Sequence, residues 1–441
     1  MMQAFDVQDF IDRQKLKPIH VAVLGMIGLV MFMDGFDIFM VGKIAPAIAQ
    51  GFGVTPARMT EVFLLQQAGL AVGAFVVSPL SDYFGRKYML VISAIIFGLL
   101  TSATVFATSI TMLAVLRGLS GLFLAGVLPT AVALLAEFTP QQRRSTFIAV
   151  GMAGYSLGST AGAGVALLVP AYGWQIGFWI GGLLPLLIAP ILAFWLPESL
   201  SYRVNKNAKD PLISKTIARI EPGLVLTGEE EFILSRGRKQ PGKTNLLDIF
   251  REGRARTTVL LFICCAFSMG NIALLAAWLP TFFQEMAGIS IQRFAVVSMI
   301  AFLGGMVGTV SIGFMMDRIR PTRLIPAYYV GNAMALLLLS QIPFGTPAFV
   351  LLLAFWSFCQ TGGQAGLNML AAQIYPTSVR STAVGWSGGV GRVGSIVTPI
   401  FGGFALASAF SLQLTLGIIA ISPVIVALLV LLLRPPAQGE K

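Results

Sequence analysis

Asp34 and Asp37 stand three residues apart inside an apolar run from Val21 to Val41, long enough to cross a bilayer as a helix. That spacing sets both carboxylates on one helix face. A charge at such depth costs about 2.5 kcal/mol or more on insertion scales, so it turns to a cavity or a partner rather than to lipid. Such a pair can take up and release a proton or handle a substrate; its structural alternative caps a broken helix or pairs with a basic neighbour. Two arginines also lie inside apolar runs, Arg117 and Arg392. An arginine beside an aspartate favours its ionised form and burial favours the neutral one. Arg117 is therefore read as tuning the aspartates, or as a structural ion pair locking two helices. Arg392 has no acidic residue inside the apolar runs of its own half of the chain. A planar guanidinium grips a carboxylate through two bonds, so Arg392 suits a substrate carboxylate. Backbone carbonyls, or an aspartate of the other half, are its alternatives.

Further along, Trp356, Gln360, Gln364 and Asn368 recur every fourth residue and so share a face. One aromatic and three amides could stack a ring and bind its hydroxyls, or serve interhelical hydrogen bonding. Tyr155 and Asn271 join this candidate binding set. Gln66, Gln67 and Trp278 fit packing as well as binding.

The elements that must position these residues are membrane helices. Of 441 residues, 56% are hydrophobic and 11% charged, with a mean hydropathy of +0.82; soluble chains carry roughly 25% charged residues. Twelve apolar runs are expected, near 21–42, 61–80, 89–107, 111–136, 146–169, 174–196, 257–284, 292–316, 324–342, 347–374, 383–406 and 411–433. The net charge of +11 reflects topology and not nucleic-acid binding. Among all Lys and Arg, only Lys43, Arg58 and Arg293 fall in the connections of one side, and only Arg117 and Arg392 inside runs. The positive-inside rule then puts both termini in the cytoplasm. The first 20 residues lack the order of a signal peptide. Cys264, Cys265 and Cys359 read as reduced core residues, His20 stands alone, and nothing has metal-ligand or nucleophile–base spacing. Gly388-Gly389-Val390-Gly391 lies within an apolar run without a following Lys-Ser/Thr, so it is no phosphate loop.

The polar stretch from Pro197 to Arg256 divides six runs from six, giving an N-terminal half over 1–196, a cytoplasmic linker over 197–256 with one or two surface helices, and a C-terminal half over 257–441. The linker carries Lys206, Lys209, Arg236, Arg238, Lys239 and Lys243 against Glu229, Glu230 and Glu231. The halves repeat. Arg144-Ser145-Thr146 recurs as Arg380-Ser381-Thr382, Pro140 as Pro376 and Gly158-Ser159 as Gly394-Ser395, all at one separation, and Asp82 recurs as Asp317 one residue short of it. A parallel six-plus-six duplication places a site between the halves, near mid-membrane. Glycines such as those at Gly154 and Gly158 read as close helix packing.

Pro79-Leu80-Ser81-Asp82-Tyr83-Phe84-Gly85-Arg86-Lys87 resembles the loop signature of the major facilitator superfamily, with Ser78 where a glycine usually leads. The second copy, Gly313 to Arg323, keeps Asp317 and Arg318 and loses the Gly-Arg-Lys end. More narrowly, Asp34-Gly35-Phe36-Asp37 with Ile44-Ala45-Pro46 is similar to the first helix of the aromatic acid:proton symporters. Arg117-Gly118-Leu119-Ser120-Gly121, Leu128-Pro129 and Glu137 resemble their fourth, Leu196-Pro197-Glu198-Ser199 the end of their sixth, and Tyr375-Pro376-Thr377 with Gly389-Val390-Gly391-Arg392 their tenth loop and eleventh helix. The resemblance implies an all-α major facilitator fold and a monomeric bacterial inner-membrane importer. Its partners would be an aromatic carboxylate, protons and lipid, with no cofactor and no metal. It implies coupling roles for Asp34, Asp37 and Arg117, and gating roles for Asp82, Arg86, Lys87, Glu137, Asp317 and Arg318. An efflux antiporter, or an importer of other organic acids, is the alternative within the fold.

Overall fold

The computed structural model describes residues 4–224, 230–234, 249–251, 253–316, 318–375 and 380–433. Eleven of the described helices are long and apolar enough to cross a membrane. They are α1 (Pro18–Gly51), α2 (Met59–Phe84), α3 (Arg86–Ala103), α4 (Ile110–Glu137), α6 (Gln175–Trp195), α7 (Ala255–Ala287), α8 (Ile291–Met316), α9 (Pro321–Leu339), α10 (Pro347–Ile374), α11 (Arg380–Ala407) and α12 (Leu412–Leu431). The run expected over 146–169 forms α5 (Arg144–Gly164), 21 residues long. Its Gly, Ser and Thr lower its hydropathy, and their small side chains let it pack closely along α1. The remainder of that run is a 3-10 turn, Val165–Leu167, and a short helix, Val169–Tyr172. The protein is an all-α multi-pass membrane protein.

One predicted boundary shifts, and one predicted run is broken. The first run was expected to end at residue 42 with Lys43 in a loop, but α1 continues to Gly51 and buries Lys43. Ile44 to Ala49 is apolar apart from the helix-compatible Pro46, so one lysine does not stop the helix. In α4 the helix breaks between Leu124 and Val127. Pro129 has no N–H to bond the carbonyl four residues earlier, which frees the backbone at Ala125, beside the central cavity.

Helices pack in one pattern twice over. The first packs with the fifth, the second with the fourth and the third with the sixth, and α7–α11, α8–α10 and α9–α12 repeat this. Between the two groups, α1 meets α7, α2 meets α11 and α5 meets α8. These crossings are tight at the end where α1 finishes. A Cβ at Gly42 would lie 2.2 Å from the Ala276 carbonyl oxygen, and one at Gly403 1.9 Å from the Thr60 hydroxyl. Trp278 donates to the Pro399 carbonyl at 2.8 Å and meets Phe63 at 5.1 Å between ring centroids.

At the opposite end, the linker forms two helices, Leu200–Lys206 and Pro211–Ile220. Unforeseen is a strand, Glu231–Ile233, paired in parallel with Ala4–Asp6. Asp6 then caps the helix Val7–Arg13, and Arg144 bonds Asp12 at 2.5 Å. Glu229, Arg236, Arg238, Lys239 and Lys243 of the linker lie outside the described residues, as do Asp317, Pro376 and Thr377.

Candidate functional site

A cavity of about 370 Å³ lies between the two groups of helices. Asp34 and Tyr155 reach it from α1 and α5, Gln66 and Gln67 from α2, and Gln364, Asn368 and Arg392 from α10 and α11. The apolar wall includes Phe39, Phe63, Leu124, Leu128, Met269 and Ile272. Seven residues singled out in the sequence therefore meet here: Asp34, Gln66, Gln67, Tyr155, Gln364, Asn368 and Arg392. α1 sits this close to α5 because Gly35 carries no side chain, since a Cβ there would lie 2.1 Å from the Tyr155 carbonyl oxygen.

The two aspartates part company. Arg117 of α4 takes both oxygens of Asp37 in a two-bond fork, one bond at 2.9 Å, and a third contact reaches the Thr101 hydroxyl at 3.4 Å. The Arg117 guanidinium lies 5.7 Å from the Phe178 ring centre, and both Asp37 and Arg117 have 0% side-chain exposure. Asp34 makes no hydrogen bond and no ion pair with any described residue; it borders the cavity. Three residues of helix amount to about 300° of turn, so the two carboxylates diverge by about 60°. That angle is enough to send one to α4 and the other to the cavity.

Arg392 is half-buried. Its one hydrogen bond among the described residues is a long one, 3.4 Å, to the Leu70 carbonyl of the other group of helices. It is close enough to act electrostatically on both Asp34 and Tyr155. A cation held by one weak carbonyl contact keeps most of its five donors available.

The stripe on α10 divides. Gln364 and Asn368 line the cavity and share a bond at 3.2 Å, and Gln364 accepts from the Ser268 hydroxyl at 2.6 Å. Gln360 accepts from Asn332 at 2.7 Å and donates to the Ser268 carbonyl at 3.4 Å. With Trp356 it lines a separate, smaller chamber. A step of four residues advances a helix by about 400°, so the stripe drifts by about 40° at every step. Asn271 is buried on α7, its amide without a partner among the described residues, and does not border the central cavity. Trp278 packs the tight crossings where α1 finishes.

At the linker end, Arg86 bonds Glu137, and Glu137 accepts from the Ser199 hydroxyl at 2.5 Å. Glu198 accepts from the backbone N–H groups of Lys87 and Ser199 at 3.0 and 2.8 Å. Gly85 turns the chain with φ 104°, and a Cβ there would lie 2.4 Å from a Glu198 oxygen. Of the residues expected to gate, Arg86 and Glu137 thus meet in one network. Asp82 is 77% exposed and 3.7 Å from Arg86, while Lys87 joins through its backbone. Glu198 and Ser199, in the motif at the end of α6, complete it. Arg318, in the corresponding second-half loop, is exposed.

A profile of the Major Facilitator Superfamily matches residues 27–370. The chain belongs to the major facilitator superfamily. Its likeness to the 4-hydroxybenzoate transporter PcaK of Pseudomonas putida is 33% identity over 396 residues, covering 90% of this chain and 88% of that protein. The Gallate transporter of Pseudomonas putida is 33% identical over 427 residues, covering 97% and 94%. The fold is shared with the solved nucleoside transporter NupG, at a TM-score of 0.72 and 12% identity over 93% of this chain and 99% of that one. It is shared too with an inward-facing, occupied bacterial homolog of the human lysosomal transporter Spinster, at 0.70 and 16% over 95% and 97%. This superfamily member is a transporter and not an enzyme.

Proposed function

We propose that the protein is a proton-coupled symporter that imports aromatic carboxylates of the hydroxybenzoate kind across a bacterial inner membrane. One observation carries the reading: Asp34, a buried acid without a hydrogen-bond or ion-pair partner among the described residues, faces the same cavity as Arg392, which comes from the other group of helices. A substrate anion on Arg392 brings a negative charge toward Asp34. Protonating Asp34 offsets that charge, so anion and proton bind together and closure follows. Gln364, Asn368 and Tyr155 offer hydrogen bonds to ring hydroxyls, and the apolar wall takes the ring. Relatives named as transporters of 4-hydroxybenzoate and gallate support the substrate class.

The proposal also takes the chain as a monomer of twelve spans with both termini cytoplasmic, its halves at 1–196 and 257–441 rocking about the central cavity. Tight packing at the end away from the linker then corresponds to an inward-facing state. The Arg86–Glu137–Ser199 contacts, with Glu198, brace the cytoplasmic ends of α3, α4 and α6. Arg117 and Asp37 hold α4 to α1 and pass the state of the cavity to that bracing.

Uptake of labelled 4-hydroxybenzoate into proteoliposomes, driven by an imposed proton gradient, tests this. Wild-type protein should accumulate the label, and Asp34→Asn should not, while remaining folded by thermal unfolding. Accumulation at wild-type rate in Asp34→Asn would remove Asp34 from the coupling step. Indifference of the wild type to the gradient would remove proton coupling altogether.

A further inference from the structure

Beside the central cavity lies a second, smaller chamber of about 80 Å³, bounded by α1, α7, α8 and α10. Phe39, Ile272 and Ala276 border both spaces. Phe39 is the partition, its ring edge-on to Phe302 at 5.2 Å and to Tyr155 at 6.2 Å. Lys43 enters this chamber nine residues beyond Asp34, about 13 Å farther along α1.

Lys43 is 5% exposed, yet no carboxylate or hydrogen-bond acceptor meets it among the described residues. Its ammonium lies 5.4 Å from the Phe294 ring centre and 5.6 Å from that of Phe302. Ring faces attract the charge but leave its three N–H donors unfilled. The Trp356 indole N–H, also buried, has no acceptor among the described residues. The remaining polar groups are largely engaged. Ser298 donates to the Ala295 carbonyl at 2.9 Å, Thr361 to the Gly305 and Ser357 carbonyls at 2.7 and 2.8 Å, and the Gln360 oxygen is held by Asn332. Among the described residues, no acidic one lines the chamber. Its unmet capacity is therefore for an acceptor that carries negative charge, and its walls are aromatic. A buried lysine left without an anion is costly.

We propose that this chamber is a second binding station for an aromatic carboxylate, with Lys43 holding the carboxylate, Trp356 donating to it or to a ring substituent, and Phe294 and Phe302 packing the ring. This rests on the substrate class proposed above. The walls belong to both groups of helices, so the chamber widens when the far end opens and narrows when it closes. An anion arriving from that end meets Lys43 first and passes Phe39 to reach Arg392. The station serves capture, and Arg392 serves the coupled step.

Initial-rate uptake of 4-hydroxybenzoate into right-side-out proteoliposomes tests the proposal. Lys43→Gln should raise KM by about tenfold, the loss of one charge-assisted contact, with a much smaller change in kcat. Lys43→Arg, which keeps the cation, should stay within about threefold of wild-type KM. Trp356→Phe, which keeps the ring and removes the donor, should raise KM by a few-fold and guards against a folding defect in Lys43→Gln. Competition by the neutral 4-hydroxybenzamide should be unchanged in Lys43→Gln. An unaltered KM in Lys43→Gln would overturn the station and leave the function above intact. The same would follow if the variant lost the neutral analogue in equal measure, or lost only inhibition by chloride. If the wild type takes up no aromatic acid, the function itself fails and the station with it.

Discussion

Asp37 gives both carboxylate oxygens to Arg117, and neither side chain keeps any exposed surface. Asp34, three residues earlier on the same helix, has no hydrogen-bond partner among the described residues and borders the cavity. The difference separates two duties that the spacing alone joins. A carboxylate locked in a fork with a guanidinium ties two helices together, and releasing it means breaking them apart. A carboxylate facing a cavity can change its charge without moving the helices. In this reading the first is a fastener and the second a switch.

The largest effect expected from this contrast falls on Asp37. Removing one partner of a buried ion pair costs about 3–5 kcal/mol, because the other charge is left uncompensated. Asp37→Asn should therefore lower the thermal unfolding temperature and the folded yield, whereas Asp34→Asn should leave both near wild type and stop gradient-driven uptake. Adding Arg117→Met to Asp37→Asn should recover much of the lost stability, since the stranded cation is removed and the two changes are not additive. Stability near wild type in Asp37→Asn would dissolve the distinction and make both aspartates part of the switch.

Arg392 comes next. Lysine keeps the charge and loses the planar fork, so Arg392→Lys should weaken binding by about 1–3 kcal/mol, the range for hydrogen bonds to charged groups. Isothermal titration with 4-hydroxybenzoate and with its amide separates contact from support. If Arg392 holds the carboxylate, the amide binds wild type poorly and loses little more in Arg392→Ala. An equal loss for both ligands would assign Arg392 to the fold, through its contact with the Leu70 carbonyl.

The spans, the repeat and the presence of Asp34 and Arg392 inside the membrane were legible because hydropathy and charge inside an apolar run are local signals; Arg117 was expected to tune both aspartates, and it bonds Asp37. The division between Asp34 and Asp37 was not, since spacing gives a shared face but not which neighbour stands opposite it. Lys43 was misread as a loop residue because a single charge ends an apolar run on paper, while the helix continues through Ile44 to Ala49. Glu198 and Ser199 carried a signal, the Leu196-Pro197-Glu198-Ser199 motif, but no chemistry until the chain folded Gly85 and Lys87 against them. The strand Glu231–Ile233 is three residues long, too short to show a period.

The smallest effects separate Gln360 from Gln364, one helical turn apart. Gln364 borders the central cavity with Asn368, and its carbonyl accepts from Ser268. Gln360 is 2% exposed and tied to Asn332 and the Ser268 backbone. A neutral hydrogen bond contributes about 0.5–1.5 kcal/mol net. Gln364→Ala should therefore weaken 4-hydroxybenzoate by up to about tenfold while changing benzoate less, because only the first ligand has a ring hydroxyl to lose. Gln360→Ala leaves the Asn332 amide buried without its acceptor, which costs about 1–3 kcal/mol of stability, and should affect both ligands alike. The measurement is the ratio of the two affinities in each variant, set beside the unfolding temperature. A changed ratio in Gln360→Ala and an unchanged one in Gln364→Ala would place the hydroxyl toward the Lys43 chamber, and would turn the substrate end for end in the cavity.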